Sequence, residues 1–337
     1  MSGPVNDSRV VRYCPEFGLS TLFCPLQRGP RPSLDVTYIP ESGCSKLVFA
    51  CKAALGMPEQ TLLLALLEVA QDRLAADPDG TRLDSGVRGV VAEQLWFNLH
   101  KSLPQSKDAT VYFPTTWNEL CRRCGCELGG TSQRMRQVQL KRLCEVTVWE
   151  YDGSSHVESR QSSLVAWLKG NDNGVLLALN HRLASALFGN RYAQVSMTER
   201  AALKGDAVKA VHVALSTMLR SGHSLRIGVR TLAERLWPGG SVNAPAGTVR
   251  RRLSDVRRGL VDIGALTGWA VEPESEAIYR VTRATLPSIE CVRVMTSPGH
   301  VTAEAMSYRK RQEPRKASSG AAFGAGDVSG LFSTTSS

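Results

Sequence analysis

One stretch limits the possible folds of this chain more than any other, namely residues 248–260. At about 100° per residue, its apolar side chains share one narrow side of a predicted helix: Val249, Leu253, Val256, Leu260 and Ile263. The remaining face and one flank carry polar and cationic residues: Arg250, Arg251, Ser254, Arg257 and Arg258. This pattern predicts a helix fixed to a core along one edge with arginines along the other. A solvated basic face on an ordinary surface helix is the alternative interpretation.

The surrounding elements place this helix second in a helix-turn-helix. An amphipathic helix over residues 208–219 is followed by a strand and a second helix, which end at Pro238. After Gly264 come two short strands, 269–271 and Ile278–Thr282, with an acidic turn between them. Such folds place a helix in this position into the major groove of DNA. The order predicts a winged helix.

A similar order of elements occurs earlier in the chain. A strand over 110–113 leads to Thr116, whose hydroxyl is suited to cap a helix that runs to about Cys124. A second helix over 132–144 precedes an alternating strand over 146–153, and we expect residues 164–168 to be the return strand of its hairpin. The outward residues of this second helix are Arg134, Gln137 and Lys141.

We therefore expect an α+β, mainly helical protein with two tandem winged-helix (helix-turn-helix) domains. The Pro-, Gly- and Ser-rich residues 1–44 predict an extended N-terminal arm containing one strand, Leu34–Tyr38. The two domains are predicted over residues 45–168 and 169–287. Residues 288–337 begin with basic clusters and end rich in Ser, Gly and Ala, which predicts a disordered tail.

Composition favours a polyanionic partner. The 337 residues include 41 Lys and Arg against 31 Asp and Glu, a formal charge of +10. This excess does not distinguish DNA from RNA or from an acidic membrane. No segment reaches the roughly 18 apolar residues that span a bilayer, and the N-terminus lacks a secretion signal. We expect a cytoplasmic protein that has no membrane partner and whose nine cysteines are reduced.

Catalytic and metal-binding signatures are weak. Cys121, Cys124, Cys126 and Cys144 suggest a zinc site, but their spacing is imperfect and a helix-turn-helix needs no metal. His212 lies on an apolar helical face and is interpreted as a core residue. The sequence has no phosphate-binding loop of the Gly-x-x-x-x-Gly-Lys-Ser/Thr type, and its histidines form no pair such as a nicking enzyme needs. We expect no enzymatic activity, no cofactor and no metal.

Several short blocks occur in a fixed order between residues 18 and 283. They include Arg28-Gly29, Leu34–Tyr38, Leu179-Asn180, Val195-Ser196-Met197, His212, Thr231-Leu232, Trp237-Pro238, the helix from Thr248 through Arg257, Gly268-Trp269 and Tyr279 to Arg283. Together they resemble the iteron-binding replication initiators of IncQ-type plasmids, the replication protein C family. Residues 72–110 show little of this likeness, and the tail beyond residue 286 extends past the family's usual end.

The resemblance implies a protein that binds direct repeats, or iterons, in a plasmid origin through two winged helices. It would help to open adjacent AT-rich DNA and recruit a plasmid-encoded helicase and primase, and a homodimer would limit replication. The DNA-contacting role is carried over to Thr248, Arg250, Arg251 and Arg257. Leu253, Asp255 and Arg258 depart from the family's helix, which suggests a different repeat sequence.

The chemistry of these side chains assigns their roles. An arginine fork donates two hydrogen bonds to O6 and N7 of guanine, so Arg251, with Ser254, is predicted to contact base edges. Arg250, Arg257 and Arg258 are predicted to contact phosphates, which position a protein without reading sequence. A winged-helix repressor that binds an operator is the alternative function. Direct repeats beside AT-rich DNA favour the initiator, and a single inverted repeat at a promoter favours the repressor.

Overall fold

The computed structural model describes residues 9–27, 29–40, 45–84, 89–100, 109–152, 158–170, 173–237 and 244–286. The described part up to residue 170 contains β1 (Val10–Tyr13), α1 (Pro15–Leu19), β2 (Leu34–Tyr38), β3 (Ser45–Cys51), α2 (Met57–Ala76), β4 (Arg82–Leu83), α3 (Val90–His100), β5 (Thr110–Thr116), α4 (Trp117–Arg123), α5 (Gly130–Cys144), β6 (Thr147–Asp152), β7 (Glu158–Ser163) and β8 (Val165–Lys169). The remainder contains β9 (Gly174–Leu179), α6 (His181–Leu187), β10 (Ala193–Ser196), α7 (Met197–Ala202), α8 (Asp206–Met218), β11 (Ser224–Gly228), α9 (Val229–Leu236), α10 (Ala246–Leu266), β12 (Ala270–Pro273) and β13 (Ile278–Thr282).

The described strands form four sheets, in which every pairing is antiparallel. Their strand orders are β1-β10, β2-β3-β6-β7, β4-β5-β9-β8 and β11-β13-β12. The arginine-rich helix α10 lies in sequence between α9 and the β12–β13 hairpin, at the predicted position. Because β11 pairs with β13, the hairpin closes onto the strand that precedes α9. The helix pair and the hairpin therefore belong to one local unit.

Two hydroxyl caps, of which the one at Thr116 is predicted from the sequence, show how side chains set the helix starts. The Thr116 hydroxyl accepts a hydrogen bond from the Glu119 amide at 3.1 Å and begins α4. The Ser196 hydroxyl does the same for the Glu199 amide at 3.1 Å and begins α7. Ser196 and Glu199 have the spacing of a capping box, but the Glu199 carboxylate lies 2.9 Å from Nε2 of His212.

The prediction for the first hairpin was wrong in its return strand. Strand β6 pairs with β7, and β8, which covers the predicted residues 164–168, pairs with β9 in another sheet. The segment 158–163 is Glu-Ser-Arg-Gln-Ser-Ser, which has no apolar alternation to mark it as a strand. Leu164 is fully buried at the point where the chain passes from one sheet to the other.

The predicted N-terminal arm contains the expected strand β2, but its described residues are packed rather than extended. Strand β1 pairs with β10, with Val11 opposite Val195. In α1, the Phe17 ring lies 5.3 Å from that of Phe49, and Phe17 is buried. A strand, a short helix and irregular segments follow one another so quickly that no sequence period develops. The structure therefore differs from the expected arm.

Helix α2 lies at the centre of the core, since its residues from Leu62 to Ala70 are buried on nearly every side. Buried hydrophobic residues from Val11 to Val281 belong to one cluster, which includes members of both predicted domains. The boundary between residues 168 and 169 stays a prediction. The predicted tail, 288–337, lies outside the described residues. Among the described helices, none combines the length and apolarity needed to cross a membrane.

Candidate nucleic-acid interface

The inward side of α10 fixes its position. Val256, Leu260 and Ile263 are fully buried, as the apolar stripe predicts, and Leu253 packs partly buried against the same core. Gly259 lies where α10 meets α8, because a Cβ there would stand 3.2 Å from Cγ2 of Val211. The absence of a side chain at Gly259 lets the two helices approach closely, which holds α10 against α8.

The outward side of α10 carries the predicted contact residues. Arg250, Arg251, Ser254 and Arg258 are all exposed. None of the three arginines forms an ion pair or a hydrogen bond with any residue that the structure describes. Arg251 and Arg258 are seven residues apart, which is about 10 Å along a helix and spans about three base pairs. These charges are free to meet a polyanion.

The hairpin holds one flank of α10. The exposed Arg257 donates a hydrogen bond from Nε to the carbonyl of Glu276, at 3.2 Å, in the β12–β13 turn. Thr248 lies half-buried in the first helical turn, where its amide donates to the Pro245 carbonyl at 2.8 Å. Of the two predicted contact residues, Arg257 therefore orients the helix against the hairpin while it stays accessible to solvent.

The tip of this hairpin is acidic. Glu274 pairs with Arg226 at 2.6 Å and with Arg280 at 2.7 Å. Glu272 and Glu276 are exposed and have no ion-pair partner within the described parts of the chain. Unpaired carboxylates repel phosphates at short range. In this unit, α10 is therefore better suited than the hairpin tip to contact a polyanion.

A cleft of about 290 Å³ borders the other flank of α10. It is enclosed by α10, the start of α8 and residues 25–27, and its charged lining consists of Lys204, Asp206, Arg251, Arg252, Asp255, Arg258 and Asp262. Trp237 connects its walls, since the Arg252 guanidinium lies 5.3 Å from the Trp237 ring and Nε1 of Trp237 donates to the Pro25 carbonyl at 3.3 Å. Burial, followed by the charge of Arg251, lowers the pKa of Arg252.

Sequence reasoning missed this cleft. Its walls come from residues about 180 to 240 positions apart in the chain, and no local period connects them. The sequence assigns Pro25 to the predicted arm, and no local pattern marks Lys204. The only local signal was the alternation of Arg251, Asp255, Arg258 and Asp262 along one edge of the predicted helix.

The second predicted contact helix is α5. Arg134 and Lys141 are exposed, and neither has an ion-pair or hydrogen-bond partner among the residues described. Gln137 is half-buried at the border of this face. Val138, which the sequence places away from the core, is 39% exposed, and Met135 is 50% exposed. The outward face of α5 therefore exposes apolar side chains between Arg134 and Lys141, whereas the exposed residues of α10 between 250 and 258 are polar, and its exposed apolar residues Val261 and Leu266 lie in its last two turns.

A buried polar cluster supports α8, on which α10 rests. The carboxylate of Glu199 contacts Nε2 of the fully buried His212, and the His212 ring lies 5.7 Å from that of Trp269. Burial lowers the pKa of His212 although Glu199 opposes it. Burial is the largest influence on the pKa of Glu199 and raises it, but the hydrogen bond and charge of His212, together with Trp269 and the charge of Arg283, outweigh burial and lower that pKa. The prediction that His212 is a core residue is confirmed.

Arg283 completes this cluster from the end of β13. Its guanidinium lies 5.0 Å from the Trp269 ring and donates to the carbonyls of Ser216 at 3.2 Å and Leu219 at 3.1 Å. It also donates to the Gln194 carbonyl at 2.6 Å. A cation that binds the last carbonyls of α8 is favourably placed in the helix dipole. Arg283 thus connects the sheet of the hairpin to the end of α8.

The cysteine group contains Cys121, which is fully buried, and Cys124, Cys126 and Cys144, which are partly buried. All four are free thiols. Burial raises the pKa of Cys124 to about 11, so that thiol stays protonated at neutral pH. In the described parts of the chain, no three His, Cys, Asp or Glu side chains are grouped to hold a metal ion.

Comparisons with known proteins bear on the whole chain. The comparison with curated proteins finds no match. The crystal structure of the selenomethionine derivative of domains 2 and 3 of RctB is similar at a TM-score of 0.48 and 10% identity, over 79% of this chain and 97% of that one. A second structure of RctB domains 2–3 has a TM-score of 0.42 and 10% identity, over 80% of this chain and 96% of that one. Both TM-scores are below 0.5, so neither likeness supports an inference about function.

A family model described as replication protein C (RepC) matches residues 7–285. The match includes α5, α10 and every described element that supports them. The resemblance inferred from short sequence blocks is thereby confirmed at the level of the family. Because the match covers most of the 337 residues, this chain belongs to the replication protein C (RepC) family.

Proposed function

We propose that this protein initiates plasmid DNA replication by binding directly repeated sequences, or iterons, in the double-stranded DNA of the origin. The observation that carries the proposal is the outward face of α10, where Arg250, Arg251 and Arg258 are exposed around Ser254 without protein partners among the described residues. Membership of a replication protein family and a formal charge of +10 agree with a DNA partner.

The binding unit is a winged helix in this proposal. Its order of elements is α8, β11, α9, α10, β12 and β13, and α10 is the second helix of the helix-turn-helix. A recognition helix in such a unit lies in the major groove. The acidic tip of the β12–β13 hairpin supports a docking in which α10, rather than the hairpin tip, approaches the phosphates most closely. The helices α4 and α5 with the β6–β7 hairpin form the first winged helix.

Within α10, Arg251 and Ser254 read base edges. The planar fork of Arg251 suits O6 and N7 of guanine, and the Ser254 hydroxyl both donates and accepts. Arg250, Arg257 and Arg258 contact phosphates, and Thr248 lies at the helix start beside them. The bond from Arg257 to the Glu276 carbonyl supports a positioning role, because it fixes the approach angle of α10.

Bound initiator opens adjacent AT-rich DNA and recruits a plasmid helicase and primase, and a homodimer limits replication. These steps follow from the family resemblance. The protein acts by binding in this proposal, without an enzymatic step or a cofactor of its own. The absence of a phosphate-binding loop from the sequence supports delegation of ATP-driven unwinding to a partner helicase.

The experiment that tests the function is footprinting of the purified full chain on the DNA that flanks its coding region. The initiator proposal predicts protection of a tandem array of direct repeats beside AT-rich DNA. Protection of a single inverted repeat at a promoter would instead identify a winged-helix repressor. The variant Arg191→Ala serves as a control for the removal of one positive charge and should give the same footprint, since Arg191 is 73% exposed but lies outside both helix pairs.

A further inference from the structure

We propose that the outward face of α5 contacts the methyl groups of thymine and gives the first helix pair a preference for A·T base pairs. The proposal rests on the proposed function, because it assigns a specificity to a protein that binds duplex DNA. It divides the reading of the site between hydrogen-bonding side chains on α10 and exposed apolar side chains on α5.

The two helices present different chemistry to solvent. The exposed face of α10 is built from arginines and Ser254 between residues 250 and 258. On α5, the corresponding face places Val138 and Met135 in solvent, at 39% and 50% exposure. Leu128, in the turn that leads into α5, is 56% exposed. This helix-turn-helix thus exposes three apolar side chains, which can contact methyl groups, beside the hydrogen-bonding side chains of Thr131, Arg134 and Gln137.

Two cations border this apolar strip. At helical spacing, Val138 lies on the same face as Arg134 and Lys141, between them along the axis. Arg134 and Lys141 are about 10 Å apart along the helix, and they have no partner among the described residues. This separation spans about three base pairs. The arrangement is apolar in the middle and positively charged at either end.

Duplex DNA with A·T pairs matches that arrangement. In the major groove, thymine presents its 5-methyl group, which apolar side chains contact, and phosphates line both sides of the groove. The turn before α5 also permits a close approach, since a Cβ at Gly129 or Gly130 would meet no atom within 4 Å. Charge and shape therefore favour DNA as the occupant of this face over an apolar protein surface, which would leave both cations unpaired.

Replacement of thymine by uracil tests the idea, because it removes the methyl group and leaves every base-edge hydrogen bond in place. The full chain is titrated against the footprinted repeat duplex, with uracil placed in one segment of the site at a time. We expect about a fourfold loss of affinity for each methyl that α5 contacts. We expect no loss from uracil in the segment that α10 contacts.

The variant Val138→Ala separates this contact from general effects. It should weaken binding to the thymine duplex by about threefold, and uracil in the α5 segment should then cost it little more. The matched control is Val90→Ala on α3, since Val90 is 79% exposed on a helix outside both helix pairs. That control should keep the full uracil effect.

Three results would overturn the inference. Equal affinity of the normal chain for the thymine and uracil duplexes would exclude methyl reading, although the initiator proposal would stand. An undiminished uracil effect in Val138→Ala would place the methyl contact elsewhere. A change in the sedimentation-derived mass of Val138→Ala, with DNA binding unaltered, would identify the face as a protein interface. If the normal chain bound no repeat duplex at all, the proposed function itself would fail.

Discussion

Replacement of Arg283 by methionine should destabilise the unit that holds α10. The side chain is 2% exposed, and it donates to three carbonyls, of which those of Ser216 and Leu219 end α8. Three such hydrogen bonds contribute about 1–2 kcal/mol each, and contact with the Trp269 ring adds about 1 kcal/mol. The substitution also removes the cost of burying a charge, which offsets part of this loss. The free energy of unfolding should therefore fall by about 3 kcal/mol.

The assay is urea unfolding followed by circular dichroism, and the exposed Arg280 on β13, three residues before Arg283, provides the matched control. The Arg280 side chain is 49% exposed and pairs with Glu274 at 2.7 Å. Because exposed ion pairs contribute little, Arg280→Met should cost less than about 1 kcal/mol. The reasoning would be refuted if both variants lost the same stability, or if Arg283→Met unfolded at the urea concentration of the unchanged chain.

Three further predictions concern the supporting structure and charge. Gly259→Leu should cost about 1–3 kcal/mol by overpacking the α8 contact, measured by thermal unfolding, whereas a neutral result would mean that the helices can separate. The lowered pKa values of Glu199 and His212 mean that the unfolded chain binds more protons, so stability should fall below pH 6.5 and fall further below pH 4.5. His212→Gln should flatten the first part of that decline, and an unchanged profile would contradict it. Lys141→Ala should reduce the slope of log K for DNA binding against log[salt] by about one. An unchanged slope would show that Lys141 lies outside the interface.

The features that sequence predicts well are local ones. The stripe that includes Val256 and Leu260 fixed the buried side of α10, because a helical period of 3.6 residues is visible within three turns. The hydroxyl caps at Thr116 and Ser196 were predictable for the same reason, since donor and acceptor lie three residues apart. Every predicted contact residue on α10 except Thr248 is exposed.

The features that sequence does not predict depend on distant partners. Arg283 contacts Gln194, 89 residues away, and Trp237 contacts Pro25, 212 residues away. Neither contact produces a local period. Strand β7 is held by its pairing with β6, and its own composition does not indicate a strand. The cleft beside α10 and the contacts of Arg283 with the end of α8 could therefore be found only from the three-dimensional structure.

The most direct test of base reading by α10 is the affinity of Arg251→Ala for two DNA duplexes, measured by fluorescence anisotropy at one salt concentration. One duplex carries the footprinted repeat, and the other has random sequence. We expect a loss of about 1–3 kcal/mol on the repeat, about 5- to 150-fold, and a much smaller loss on random DNA. Equal losses on the two duplexes would contradict the claim that α10 reads the bases of the repeat.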